Sequence, residues 1–170
     1  MKKFELTGEF VTNIFGKKLF RIRALVAFGN VEAGELGGYV EKEENLSDDG
    51  DAWVSGNAQV SGDARVSGNA QVFGDAWVSG NARVSGDARV SGNDDILQII
   101  GLGTVHRTTT VFRTPDGIRI ACGCFYGDLD AFREQVKKTR GGKVQREYLK
   151  FADLVEIYFG EDKEDECECS

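Results

Sequence analysis

The chain holds a single His, His106, four Cys, and a set of Arg and Trp at regular spacing. A lone His can serve as a general base, because imidazole changes charge near neutral pH. Cys122-x-Cys124 is expected to place two thiols on one face of a strand, and Cys167-x-Cys169 repeats that spacing near the C-terminus. Four thiolates together could hold zinc, although the spacing is not the usual Cys-x-x-Cys. Buried structural thiols are the plainer reading for Cys122 and Cys124. Arg107 and Arg113 flank a Thr-rich run that follows Gly101-Leu102-Gly103. Guanidinium, hydroxyl and backbone N–H groups there could hold an anion; solvated strand residues would look the same. Trp53, Arg65, Trp77, Arg83 and Arg89 fall at multiples of six residues. Arg offers a planar fork for phosphate or carboxylate, and Trp a stacking face for a base. The competing reading packs both Trp on the N-terminal segment or on a neighbouring subunit.

Those spacings come from a repeat. From Gly50 to Ser91 the sequence runs through seven copies of Gly-(Asp/Asn)-Ala-x-Val-(Ser/Phe). Each hexad reads as a short strand and a corner. Ala and Val, two apart, point to one side and face inward. Gly, with Asp or Asn, supplies a corner where positive φ is cheap. The register extends upstream to Gly38, with Val40 and Leu46 in the Ala position, so that nine hexads from 38 to 91 make three turns of 18 residues. The residue after Gly alternates Asp51, Asn57, Asp63, Asn69, Asp75, Asn81, Asp87, Asn93. At a period of 18 every Asp stacks on an Asn, which keeps carboxylates off adjacent rungs. Duplication of a 12-residue unit would leave the same alternation. The outward x positions then form three columns: Glu41, Gln59, Trp77; Ser47, Arg65, Arg83; and Trp53, Gln71, Arg89. Exposed Trp and Arg are enriched where surfaces bind. Arg65, Arg83, Arg89, Trp53, Trp77, Arg107 and Arg113 are therefore the candidate ligand or partner contacts. Phe73, at a corner otherwise held by Ser, fits a contact between subunits.

Residues 38–91 resemble the hexapeptide repeat of left-handed β-helix proteins, where a small residue stands two before an aliphatic one, as in Ala52-x-Val54. Ser directly after the aliphatic, with Gly one position later, is shared with the Gly-Asn-Ala-Arg-Val type found in bacteria and prophages. The resemblance implies a left-handed triangular helix and a homotrimer. Gly101 through Thr110, with Cys122-Gly-Cys124-Phe125 and Gly127, resembles a small module attached to such repeats in Gram-positive bacteria and their phages. That implies a phage or prophage origin, and brings in counter-defence by association. Acyltransferases of the β-helix family use a His as general base between subunits. His106 lies outside the repeat, however, on an expected strand, and no long loop interrupts the hexads. A carbonic anhydrase of this fold would need three metal-binding His, which one His excludes.

The flanks complete a mainly β architecture. Residues 1–37 read as a β-hairpin with a turn at Gly16-Lys17-Lys18, capping a short left-handed parallel β-helix over 38–95. Residues 96–160 read as an α+β unit of ββαα type, with Asp128 as N-cap of a first helix to about Thr139 and a second helix over about 144–159. Residues 161–170 carry six acidic side chains and one Lys, which is −5 of the formal −7, and read as a disordered acidic tail. The rest is close to neutral, which argues against a nucleic-acid or anionic-membrane binder. No long apolar segment is seen, so the expectation is a cytoplasmic protein of a bacterial host. The function expected is a non-enzymatic homo-oligomer without cofactor or metal, which sequesters a small anionic nucleotide messenger between subunits or inhibits a host protein. An acyltransferase using His106 and a structural assembly module are the alternatives.

Overall fold

Ala and Val of every hexad from Ala52 to Val90 are buried, so the repeat lines its own core. The computed structural model describes residues 1–160; the acidic stretch 161–170 lies outside the described residues. Two antiparallel strands open the chain, β1 (Phe4–Thr12) and β2 (Lys18–Ala24), and β2 pairs antiparallel with β3 (Leu36–Val40). Two-residue strands follow at every hexad: β4 (Trp53–Val54), β5 (Gln59–Val60), β6 (Arg65–Val66), β7 (Gln71–Val72), β8 (Trp77–Val78), β9 (Arg83–Val84) and β10 (Arg89–Val90). They stack in parallel at an offset of 18 residues: Val54 on Val72 on Val90, Val60 on Val78, and Val66 on Val84. Successive strands therefore visit three sheets in turn, β4-β7-β10, β3-β5-β8 and β6-β9. The Asp/Asn alternation is used as hydrogen bonds: Asn57 Nδ2 donates to Asp75 at 3.4 Å and Asn69 Nδ2 to Asp87 at 3.2 Å. Asn69→Asp would place a carboxylate between Asp51 and Asp87. We expect it to lower stability by roughly 0.2–1 kcal/mol, with the loss shrinking in high salt; thermal melts at low and high ionic strength check this.

The corner glycines, Gly50 to Gly86, all have φ between +62° and +72°, and a Cβ on Gly68 would sit 2.9 Å from Gly86 N. Both the left-handed backbone and the close stacking of corners exclude a side chain.

The first rung departs from the expected register. Val40 pairs with Val60 and Leu46 with Val66, an offset of 20 residues. Val40 and Leu46 thus occupy the Val position, not the Ala position, and Gly38 takes the Ala place. Two extra residues at the Asp48-Asp49 corner make Leu46 to Val54 a step of eight. The physical cause is burial: the expected register would have turned Lys42 and Asp48 into the apolar interior. The columns change accordingly. Tyr39, not Glu41, lies beside Gln59 and Trp77, and Ser47 N–H bonds Val66 O, which puts it beyond the Arg65/Arg83 column.

Side chains complete the backbone bonding at both ends of the stack. Trp53 and Arg65 donate their N–H groups to Ala70 O and Ala82 O on the next rung. The equivalent first-rung carbonyls, Ala52 O and Ala64 O, accept instead from Lys3 Nζ and Asn45 Nδ2, both at 2.9 Å. Burial pulls the Lys3 ammonium below the usual lysine range. At the far end the N–H groups of Trp77, Arg83 and Ser91 have no further rung. They donate to Asn93 Oδ1, Thr110 Oγ1 and Asp95 Oδ2 at 2.9, 3.1 and 2.8 Å.

The rest is a four-stranded antiparallel sheet and two helices: β11 (Ile96–Leu102), β12 (Arg107–Thr114), β13 (Gly117–Cys122), β14 (Phe125–Gly127), α1 (Leu129–Thr139) and α2 (Gly142–Phe159). The sheet has four strands where the ββαα reading expected two. Asp128 caps α1 by accepting from Ala131 N–H at 2.8 Å. Alternation along β12 and β13 divides their side chains. Phe112 and Ala121 join the core of the repeat, while Val111 and Ile120 pack under the helices with Phe132, Tyr148 and Phe151. The sheet is thus sandwiched between stack and helices.

Candidate functional site

The sequence candidates separate once placed. Trp53 is 2% exposed and meets Phe28 edge-on at 5.4 Å between ring centroids. It is not available to a ligand, because the first rung leaves a side of the stack open and the segment before β3 folds over it. Arg113 is also committed: its guanidinium pairs with Asp95 at 3.0 Å and lies over the Phe159 ring. Arg89 Nη1 donates to Asn69 O and Ala88 O at 3.2 Å each. Trp77 is 48% exposed, but β8 is in a different sheet from β9, and its neighbours are Ile14 and Phe15 at the hairpin tip. An Arg–Trp site combining Arg83 with either Trp does not form.

Arg65 and Arg83 are directly paired on β6 and β9, yet they face different surroundings. The hollow beside Arg65 also holds Glu43, Glu44 and Asp48, which disfavours an anion there. Arg83 borders a cleft of about 340 Å³ where the repeat meets the sheet. Its polar lining is Asn81, Arg83, His106, Arg107, Thr108 and Thr110, and no carboxylate lines it. Three local features build this cleft. Thr110 accepts the Arg83 N–H and so ties β9 to β12. Thr108 and Thr110, two apart on β12, share one face. Arg107 starts β12, and its guanidinium lies against Gly123, where φ is +60° and any side chain would collide with it. Arg65, Arg83 and Arg107 have no carboxylate within 4.0 Å among the described residues. Both Arg83 and Arg107 are exposed, and guanidinium forks beside hydroxyls are suited to phosphate or carboxylate oxygens.

His106 is not on a strand. It stands in the turn between β11 and β12 at φ +50°, the one non-Gly residue of positive φ among those described, with Nδ1 3.1 Å from Gly101 O. That geometry puts the ring at the cleft. Cys124 lies in the tight turn after β13, not on a strand face, because Cys122 pairs with Phe125. It borders a separate cavity, so His106 and Cys124 do not form a nucleophile–base pair. Among the described residues no group of three or more His, Cys, Asp or Glu could hold a metal; Cys167 and Cys169 lie outside them. Sequence reasoning missed Asp95, Arg140 and Tyr148. Only Arg140, a cation closing α1, carried any local signal.

The repeat has a counterpart among known families. A family model described as the YdcK beta solenoid repeat matches residues 58–74 and 82–93. The hexads form a β-solenoid. Of the cleft residues only Arg83 falls within the match. No curated protein matches the chain. No helix among the described residues is long and apolar enough to cross a membrane.

Proposed function

We propose that this chain is a non-enzymatic, homo-oligomeric binding protein of phage or prophage origin that sequesters a small phosphate-bearing ligand of the nucleotide-messenger class. Its β-solenoid is a short left-handed β-helix of about three coils, with the β1–β2 hairpin as N-terminal cap. The ligand's phosphate rests between Arg83 and Arg107. One observation carries the reading: the cleft holds two guanidiniums and two Thr hydroxyls, and no carboxylate lines it. Neutralising those cations internally would have required only one Asp or Glu nearby, and the described ion pairs elsewhere take that course.

Titration of the purified chain with nucleoside monophosphates and cyclic dinucleotides, followed by calorimetry, tests the proposal. Arg83→Ala and Arg107→Ala are each expected to weaken binding by roughly tenfold to a hundredfold, whereas Arg89→Ala leaves it unchanged. The ligand should be released intact on denaturation. Failure of every anionic ligand, together with a host protein retained by the chain, supports protein inhibition instead. A second reading, acyl transfer, has one observation in its favour: the His106 ring is oriented at this cleft by Gly101 O. It requires turnover of an acyl donor that His106→Ala abolishes; ligand binding that survives this variant supports sequestration.

A further inference from the structure

On the opposite face of the sheet from the cleft, the helices cover a second cavity of about 120 Å³. Cys122 and Cys124 both border it, together with Arg107, Arg140, Phe125 and Tyr148. The local chain explains why both thiols reach it. Thr109 and Cys122 are cross-strand partners facing the helices, and Gly123, at φ +60°, turns the chain so that Cys124 reaches the same space. Cys122 is half-buried and Cys124 exposed. The buried Thr109 hydroxyl donates to Cys122 Sγ at 3.2 Å. Neither Arg107 nor Arg140 has a carboxylate within 4.0 Å among the described residues.

We propose that Cys122 and Cys124 form a peroxide-reactive dithiol, with Cys122 attacked first and Cys124 resolving it. The Cys122 sulfur attacks one oxygen of a small hydroperoxide; an S–O bond forms and the O–O bond breaks. Cys122 is oxidised by two electrons to the sulfenic acid. The departing oxygen is reduced, takes the proton that Cys122 gives up, and leaves as water or alcohol. The Cys124 sulfur then attacks the sulfenyl sulfur. An S–S bond replaces the S–O bond, and the released hydroxide takes the Cys124 proton as water. Thr109 orients the first sulfur. The two guanidiniums stand where negative charge develops on the departing oxygen. Residues two apart in a tight turn fall within reach of the roughly 4.4–6.8 Å Cα separation of disulfides. The cavity also suits the reagent, since a water occupies about 30 Å³ of liquid and hydrogen peroxide little more. Arg107 borders both this cavity and the cleft, whereas Arg140 borders this cavity and not the cleft, so the Arg140 variant tests this chemistry separately from binding in the cleft.

The test treats the full chain with hydrogen peroxide and maps tryptic peptides without reduction. Residues 120–133 and 164–170 fall on different peptides, and both contain Cys-x-Cys. The first should lose the mass of two hydrogens at least about tenfold faster than the second, the scale expected of preorganised donors at a developing charge. Dithiothreitol should reverse the change. Cys124→Ser should stop at a gain of one oxygen that dimedone captures, and Cys122→Ser should leave the peptide reduced. Arg140→Ala, at an exposed position, should slow the reaction without disturbing the fold, which circular dichroism monitors. Equal rates for the two peptides would overturn the proposal, because the spacing alone would then explain the reaction. Undiminished oxidation in Cys122→Ser would overturn it as well.

Discussion

Trp53→Ala is expected to lower the free energy of unfolding by about 3–5 kcal/mol, the range for truncating a large buried aromatic. Trp53 is the largest fully buried side chain among the described residues. It sits where the first rung, β2 and the loop carrying Phe28 meet: a Cβ on Gly37 would lie 2.7 Å from its ring and 2.6 Å from Ile22. Its loss opens a cavity that rigid rungs cannot close, since each is pinned by backbone bonds to the next. The indole Nε1 is buried without a hydrogen-bond partner, so the ring contributes packing and no polar contact. Trp53→Phe should therefore cost clearly less than Trp53→Ala. Trp77→Ala, at a half-exposed ring of the same hexad position, should cost under about 1 kcal/mol. Urea unfolding of the three variants checks the order. Equal losses at 53 and 77 would contradict the burial described here.

The second large effect is expected at Asp95. Its carboxylate accepts from the Ser91 N–H and hydroxyl at 2.8 and 2.6 Å and pairs with Arg113 at 3.0 Å. Its own carbonyl accepts from Arg113 N–H. One side chain thus joins the end of the solenoid to β12. Burial would raise its pKa, but the two Ser91 bonds and the Arg113 charge outweigh it and hold the carboxyl below the usual carboxylate range. A depressed folded-state pKa favours the native state at pH values above the unfolded value, about 3.9. That contribution is lost as pH falls from there through the lower folded value. Asp95→Ala leaves Ser91 N–H and Arg113 without their partner, and we expect a loss of about 1–2 kcal/mol at neutral pH, since Arg113 is partly solvated. The variant should also lose less stability than the parent on acidification below about pH 4. Melts of both proteins between neutral and acid pH read out the difference.

The repeat was legible because its physics is local. Gly at a corner, Ala and Val two apart and an alternating Asp/Asn each report the state of their own hexad, and identical hexads can only stack on themselves. The period of 18 came from three hexads to a coil and agreed with keeping carboxylates apart, and Asn57–Asp75 and Asn69–Asp87 make that pairing explicit. The reading failed where hexads stopped being identical. At Val40 and Leu46 a two-residue corner insertion shifted the rungs, and the sign of it was visible only in the burial that Lys42 and Asp48 would have suffered.

The site was legible in part. Arg83, Arg107 and His106 were candidates by type, and the structure brings them to one cleft. Nothing local, however, distinguished them from Arg113, which Asp95 neutralises, or from Trp53, which Phe28 covers. By itself the sequence determined the solenoid core, the corners and the helix start at Asp128, because nearest neighbours along the chain or one rung away set those choices. Only the tertiary structure decided which outward side chains stay free. That depends on how the sheet of β11–β14 docks on the last rung, through Thr110, Asn93 and Asp95, and contacts between such distant segments leave no periodic trace in the sequence.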